Sequence, residues 1–526
     1  MATLPPPGRA PLAPVRGAAL LVVWLLALLL PTAAPAAAQG ALPGSFAPAP
    51  CPLPFPEDMR VDCGYLTVAE SRQKPASRTI QLAVAIVRSP NPTPRPDPVL
   101  FLSGGPGEPA LPIAALAPAL FGQVLAERDM ILVDQRGTGY SRPALNCGVD
   151  VPTQPASLFP LGVAVEERPA LLRQLTEQLI ACGAQHRAAG VDLSGYNSVE
   201  SAADLEDLRV ALGYPAWNLY GGSYGTRLAL TAMRYRPQTI RSAVLDSVYP
   251  LEANFHTGVF ASYSRSLREL AAACSADPAC ARAYPGLERT FGELVARLNA
   301  EPAQLPLVDV ETGEVLDYLP FTGADFSATI FRLLYITQAH PLLPALIGET
   351  AKGDLELLSL LASSLLSEAL PGDVPAISQA QQIAVQCNED IPFARPRDFV
   401  AARDAHRAVA DLALNPLFHE ASLEVCAALG LGKPSAAENQ PVRSDVPALL
   451  IGGELDPITP PQNARATAGH LSRSQVVIYP RGGHAPSVGS PCLGAVIASF
   501  LNAPQAPVST ACLAQEPPSP FLVMGD

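Results

Sequence analysis

Three short segments carry side chains able to break an acyl bond. The first is Asn218-Leu-Tyr-Gly221-Gly222-Ser223-Tyr224-Gly225-Thr226, which contains the pattern G-x-S-x-G. A sharp turn with Ser at its tip exposes the hydroxyl, and small flanking residues let the turn close without clashes. Gly and Ser are common, so a chance match somewhere in a chain this long has odds of about one in six. The context therefore decides: an apolar run at 216–220 leads in as a strand, and 225–235 leads out as a helix. Ser223 is a weak nucleophile without a base, and the base needs an orienting acid. On a strand-to-helix turn of this kind the acid and then the His follow later in the chain. Gly452-Gly453-Glu454-Leu455-Asp456-Pro457-Ile458-Thr459-Pro460 comes after the apolar run 446–452 and puts Asp456 at a strand end on a Pro-stiffened loop. Glu454 is the competing carboxylate. Arg481-Gly482-Gly483-His484-Ala485 follows the run 475–479, which puts His484 in a Gly-flexed loop near the same sheet edge. His186, His256, His340, His406, His419 and His470 lack a strand-then-Gly context and read as surface or capping residues.

Acyl transfer also needs donors for the charge that develops on the carbonyl oxygen. Phe101-Leu102-Ser103-Gly104-Gly105-Pro106-Gly107 follows a strand, and its glycines bring backbone N–H groups close to a substrate oxygen. Gly104 or Gly105 is one expected donor. The N–H of Tyr224, just after the nucleophile, is the other. No G-K-[ST] follows the glycines, which disfavours a phosphate loop. Asp134-Gln135-Arg136-Gly137-Thr138-Gly139-Tyr140-Ser141 follows the strand 129–134; Asp134 and Arg136 read as structural. There is no C-x-x-C pair or Cys/His cluster with zinc spacing, so neither a metal nor another cofactor is expected.

The elements that must position these residues are legible as a pattern. Apolar runs at 79–87, 98–103, 129–134 and 241–246 join those already named, and are short enough for strands buried on both faces. Val199, Ala202, Leu205, Leu208 and Leu212 recur at helical spacing over 198–212, and Gly213 then Pro215 stop that helix. Alternation of strand and helix argues an α/β fold with a mainly parallel sheet. From 251 to 440 the pattern turns helical, with helices expected at 258–273, 286–299, 324–336, 354–367, 376–387 and 398–412. The expected organisation is a signal peptide at 1–38, a Pro-rich arm at 39–58, a first core part at 59–250, a helical cap at 251–440, a second core part at 441–515 and a tail at 516–526.

Composition narrows the function further. The chain of 526 residues is 48% hydrophobic and 16% charged, which excludes a disordered chain. Its net charge of −13, with no Lys/Arg run, excludes grip on a nucleic-acid backbone. Residues 1–16 hold Arg9 and Arg16 and no acid, 18–30 are all apolar, and Ala36-Ala37-Ala38 follow. That order marks an export signal, and once it is removed no run is long enough to span a membrane. Export makes the ten cysteines candidates for disulfides between sequence neighbours: 51–63, 147–182, 274–280, 387–426 and 492–512.

SGGPG, DQRGTGYS, GGSYG, GELDPITPP and GGH, in that order, resemble the α/β-hydrolase peptidases of the prolyl-aminopeptidase kind, nearest to the secreted tripeptidyl aminopeptidases of bacteria. The resemblance covers most of residues 60–515. It implies the α/β-hydrolase fold, a helical cap over the site, and cleavage of residues or short peptides from free N-termini; some members are esterases. Ser103 departs from the pattern, since related enzymes often have His before the Gly pair. Acidic cap residues of the family hold the substrate's α-ammonium, and Cys387-Asn388-Glu389-Asp390 resembles such a motif. Glu389, supported by Asp390, is therefore a candidate anchor; a solvated acidic pair at a helix end is the alternative. The expectation is an exported serine hydrolase acting on short peptides with a free N-terminus. An esterase or lipase-like hydrolase on the same triad is the rival, and an inactive binding module is disfavoured because Ser, Asp and His are all present.

Overall fold

The computed structural model describes residues 44–147, 162–367 and 377–524. The signal read at 1–38 lies outside them. Among the described residues, seven strands precede the helical region: β1 (Ser45–Pro48), β2 (Val61–Ala69), β3 (Thr79–Val87), β4 (Val99–Leu102), β5 (Met130–Val133), β6 (Trp217–Gly222) and β7 (Ile240–Asp246). A hairpin of β8 (Ala303–Val308) and β9 (Val315–Phe321) stands apart, and β10 (Ala448–Gly453) and β11 (Ser474–Tyr479) complete the set. Nine strands form one sheet in the order β1-β2-β3-β5-β4-β6-β7-β10-β11. Pairings from β1 to β5 are antiparallel and all those beyond β5 are parallel.

Burial on both faces explains the unbroken apolar runs. Leu100 and Leu102 of β4, Leu219 of β6 and Leu450 of β10 enter one core. Their neighbours Val99, Phe101, Tyr220, Leu449 and Ile451 enter the core on the other face. Each strand thus alternates between two apolar layers, as sheets covered by helices on both sides require.

Between β7 and β10 the chain is mainly helical, with helices such as Phe255–Ala276, Leu287–Ala300, Gly323–Tyr335 and Gln379–Glu389. This helical region has its own core, built on Phe260, Tyr263, Phe291, Phe326 and Phe331, and Leu455 and Ile458 from the Asp456 loop pack into it. The Asp456 loop is thus shared between the sheet and the helical region.

Several expectations change. The hairpin β8–β9 lies in a stretch expected to be helical; its runs AQLPLV and VLDYLPF are largely apolar, but Pro306 and Pro320 inside them weaken the strand signal. The Pro-rich arm joins the sheet as edge strand β1 on β2, where Pro48 is tolerated because an edge strand need not donate every N–H. The helix expected at 398–412 breaks at His406 into Pro396–Ala405 and a 3-10 segment Arg407–Leu414. His256 and His340 are not surface residues; both are buried, at 0% and 2% exposure. All five disulfides join the expected neighbours: Cys51–Cys63, Cys147–Cys182, Cys274–Cys280, Cys387–Cys426 and Cys492–Cys512.

Candidate active site

The turn at Ser223 is built by what glycine leaves out. A Cβ on Gly225 would lie 2.0 Å from the Leu102 carbonyl oxygen, and one on Gly221 would lie 2.4 Å from the Gly225 oxygen. Only glycine at both positions lets β6 pass straight into the helix Tyr224–Tyr235 against β4. Ser223 sits at the N-cap of that helix with φ 54° and ψ −121°, a strained conformation for a residue with a side chain. Its N–H is tied to the Asp246 carbonyl at 2.9 Å. Its hydroxyl forms no hydrogen bond among the described residues, as is common in unliganded sites whose catalytic contacts tighten with substrate.

Asp456 and His484 are brought together by two loops at the ends of β10 and β11. His484 Nδ1 lies 2.9 Å from Asp456 Oδ2. Asp456 is fully buried and accepts four further bonds: from the Ile458 and Thr459 N–H groups at 2.9 Å, the Thr459 hydroxyl at 2.6 Å and the Ser247 hydroxyl at 2.9 Å. Burial alone would raise its pKa; His484 and these donors outweigh it and hold the carboxyl below its usual range. Ser247 also accepts the Ala485 N–H at 2.8 Å, so one hydroxyl couples the acid loop to the His loop. Glu454 takes another role: its carboxylate accepts the Arg481 N–H at 2.8 Å.

Residues of the helical region between β7 and β10 hold both loops. Arg265 donates to the Glu454 and Asp456 carbonyls at 2.6 Å each. The His484 N–H donates to the Tyr335 carbonyl at 2.9 Å, and the Tyr335 ring lies 4.9 Å from the imidazole. His340 contacts the carbonyls of Arg481 and Leu334, at 2.7 and 2.9 Å. Gly453 and Gly483 are both necessary here, since a Cβ on Gly453 would lie 1.9 Å from the Gly483 oxygen.

His484 is pulled two ways. Burial favours the neutral ring, but Asp456, Asp246 and Glu108 together raise its pKa above the ordinary histidine value of 6.5. A base must be neutral to accept a proton. The acidic limb of kcat/KM on a neutral ester is therefore expected to fall away at a pH above 6.5, as protonation removes the base. A pH–rate profile checks this, and a midpoint at or below 6.5 contradicts it.

The expected donors Gly104, Gly105 and Tyr224 lie at the Ser223 turn, and the Gly104 N–H is engaged with the Glu108 carboxylate. Gly105 has φ +101° and Gly107 +100°, so the SGGPG loop reverses tightly over the start of the Ser223 helix. The Tyr224 N–H opens that helix, where first-turn N–H groups have no intrahelical partner. Ser103 keeps its carbonyl on Gln135 Nε2 at 3.1 Å, while its buried hydroxyl lacks a hydrogen bond of good geometry. Asp134 accepts the N–H groups of Ala110, Leu111 and Tyr140 at 2.7 to 2.9 Å, and buried Arg136 holds Asp204 at 2.7 Å; both brace the loops from below.

Glu389 and Asp390 pack with Pro106, Tyr224, Arg227 and Tyr249 around a gap with no room for a water. Glu389 is 2% exposed, not solvated, and its carboxylate lies 3.0 Å from Arg227 Nε. Ser198 Oγ donates to Glu389 at 2.9 Å and contacts the Tyr224 hydroxyl at 2.8 Å. Asp390 accepts from the Tyr249 hydroxyl and from the Phe255 N–H at 3.2 Å. His256 lies 3.6 Å away, and burial lowers its pKa against the pull of Asp390. Glu389 thus already has a counter-ion in Arg227, whose guanidinium also acts on Asp390.

Sequence reasoning missed Ser247, Ser198, Tyr335 and Glu108. Ser247 and Ser198 are ordinary residues at element ends and carry no signal. Glu108 had one, since it directly follows SGGPG.

Carboxylesterase B of Mycobacterium tuberculosis H37Rv is 27% identical over 466 residues, 86% of each chain. Serine protease Hip1 of the same organism is 26% identical over 224 residues, 41% of this chain and 42% of that protein. The tripeptidyl aminopeptidase of Streptomyces lividans is 28% identical over 192 residues, 36% of this chain and 35% of that protein. Residues 97–491 match the family described as alpha/beta hydrolase fold. With a largely parallel sheet, a strained Ser at the β6 end and helices on both faces, the chain belongs to the α/β-hydrolase fold family.

Proposed function

We propose that this hydrolase is an exported serine aminopeptidase acting on short peptides with a free N-terminus. The observation that carries the reading is the strained Ser223 turn at the end of β6 together with the Asp456–His484 hydrogen bond at the ends of β10 and β11. Ser223 Oγ attacks the scissile carbonyl while His484 Nε2 takes its proton. Gly104 or Gly105, with Tyr224, holds the oxyanion. His484 then gives the proton to the departing amine, leaving an acyl-enzyme. Water attacks that ester, its proton passing to His484 and on to Ser223 as the acid product leaves. Asp456 keeps Nδ1 protonated and stabilises the imidazolium. Five disulfides support export to an oxidising compartment. Peptidase-named relatives favour a peptide substrate.

A carboxylesterase reading has its own support, the alignment with carboxylesterase B over most of both chains. The two separate on kcat/KM for aminoacyl arylamides against N-acetylated arylamides and plain acyl esters. An aminopeptidase strongly prefers the free amine; an esterase turns over the esters and ignores the amine.

Glu389→Gln is expected to act on the fold and not on the amine alone. It leaves the Arg227 guanidinium buried opposite a neutral amide. Breaking such a pair costs about 3–5 kcal/mol. Thermal unfolding should show the loss, with hydrolysis of amine and ester substrates falling together. A loss confined to free-amine substrates, with stability unchanged, would return Glu389 to the anchor role expected from sequence.

A further inference from the structure

A third carboxylate borders the space beside Ser223. Glu108 follows the SGGPG loop, and the left-handed turns at Gly105 and Gly107 fold it back over the loop. A Cβ on Gly104 would lie 3.0 Å from Glu108 Oε2 and 3.3 Å from Ser223 Cβ. Carboxylate and nucleophile therefore border the same space, on the side where the oxyanion donors lie. The residue is half-buried, but its carboxyl end is desolvated, which raises its pKa. His484, the Gly104 N–H and the Ser103 hydroxyl pull toward the charged form, and among the described residues no guanidinium or ammonium acts on it.

A negative group in this place opposes the reaction on a neutral ester. The transition state puts charge on the carbonyl oxygen, and a nearby like charge in a low-dielectric site raises its energy. The opposition ends if the substrate brings a cation. In an aminoacyl substrate the α-ammonium is two bonds from the scissile carbonyl carbon, so it arrives in this space together with the carbonyl. An ammonium and a carboxylate then form a charge-assisted hydrogen bond. In a tripeptidyl substrate the ammonium lies two residues farther out, roughly 7 Å in an extended chain, beyond a carboxylate that abuts Ser223.

We propose that Glu108 receives the substrate's α-ammonium, rejects acyl groups without one, and so favours release of a single N-terminal residue. The assignment rests on the aminopeptidase reading above. It selects in both directions, by attraction to the right substrate and repulsion of the wrong one.

The test uses the mature protein, its Glu108→Gln and Glu108→Asp variants, and active-site counts from fluorophosphonate labelling. Substrates are an aminoacyl coumarylamide, a tripeptidyl coumarylamide, the N-acetylated aminoacyl amide and p-nitrophenyl butyrate. The wild type should favour the aminoacyl amide over the tripeptidyl and acetylated ones. In Glu108→Gln, kcat/KM on the aminoacyl amide should fall at least tenfold, mostly through KM, while ester turnover rises several-fold. Glu108→Asp should recover part of the amine preference. The acidic limb on the ester should move to lower pH, because His484 loses one of the three carboxylates that face it, leaving Asp456 and Asp246, with the Tyr335 ring alongside. A structural role would lower amide and ester activities together with no change in amine preference, and that result overturns the assignment. So does a wild type that prefers free amines but keeps its preference in Glu108→Gln. A wild type indifferent to acetylation overturns the aminopeptidase reading itself.

Discussion

Ser223→Ala is expected to abolish covalent labelling by a fluorophosphonate and to lower kcat by roughly 10⁶-fold on any substrate the wild type accepts. The size follows from the way the three groups act as one. Without Oγ no acyl-enzyme forms, and His484 and Asp456 have no proton to move. What remains is catalysis by binding and by the oxyanion donors, which still gives roughly 10³-fold over water. The fold should survive, because Ser223 Oγ makes no hydrogen bond among the described residues and the turn is fixed by Gly221 and Gly225. Circular dichroism and thermal unfolding check that point. Labelling that persists at another serine would overturn the assignment.

Asp456→Asn is the second large effect, a fall in kcat of about 10⁴-fold. An asparagine can keep its oxygen where Oδ1 now accepts the Ile458 and Thr459 N–H groups. Its NH₂ then takes the place of Oδ2. Ser247 and Thr459 can turn their hydroxyls to accept from it. His484 Nδ1 cannot do so and remain a donor; it must accept, which moves the ring proton to Nε2. That nitrogen is then unable to take the proton of Ser223. Glu454→Gln serves as control, since a Gln oxygen still accepts the Arg481 N–H, and its effect should stay within a few-fold. Reversed magnitudes would mean that Glu454 orients the base.

These expectations show how far the sequence reaches. Strand positions near the site were legible because β4, β5, β6, β7 and β10 are buried on both faces and read as apolar runs. The Ser223 turn was legible because two close backbone contacts demand glycine. β1 and β2 were not, since an edge strand with Pro48 and a strand interrupted by Gly64 carry weak signals. The helix ending at Glu389 was placed within a few residues, yet its acids were open between anchor and surface. The deciding partner, Arg227, lies 162 residues away in the helix that Ser223 begins. Ser247 and Tyr335 likewise act through contacts that only the folded chain brings together. Local spacing finds groups that share a turn; it does not find their counter-ions.

The central claim is that Ser223 serves an amine-dependent peptidase, and one digestion tests it most directly. Short peptides of mixed sequence, each supplied free and N-acetylated, are incubated with the mature protein and with Ser223→Ala, and products are read by mass spectrometry. The account predicts that the free peptides are shortened from the amino end, the acetylated ones stay intact, and the variant leaves both untouched. Equal cleavage of free and acetylated peptides, or intact peptides alongside rapid turnover of a simple ester, would contradict it.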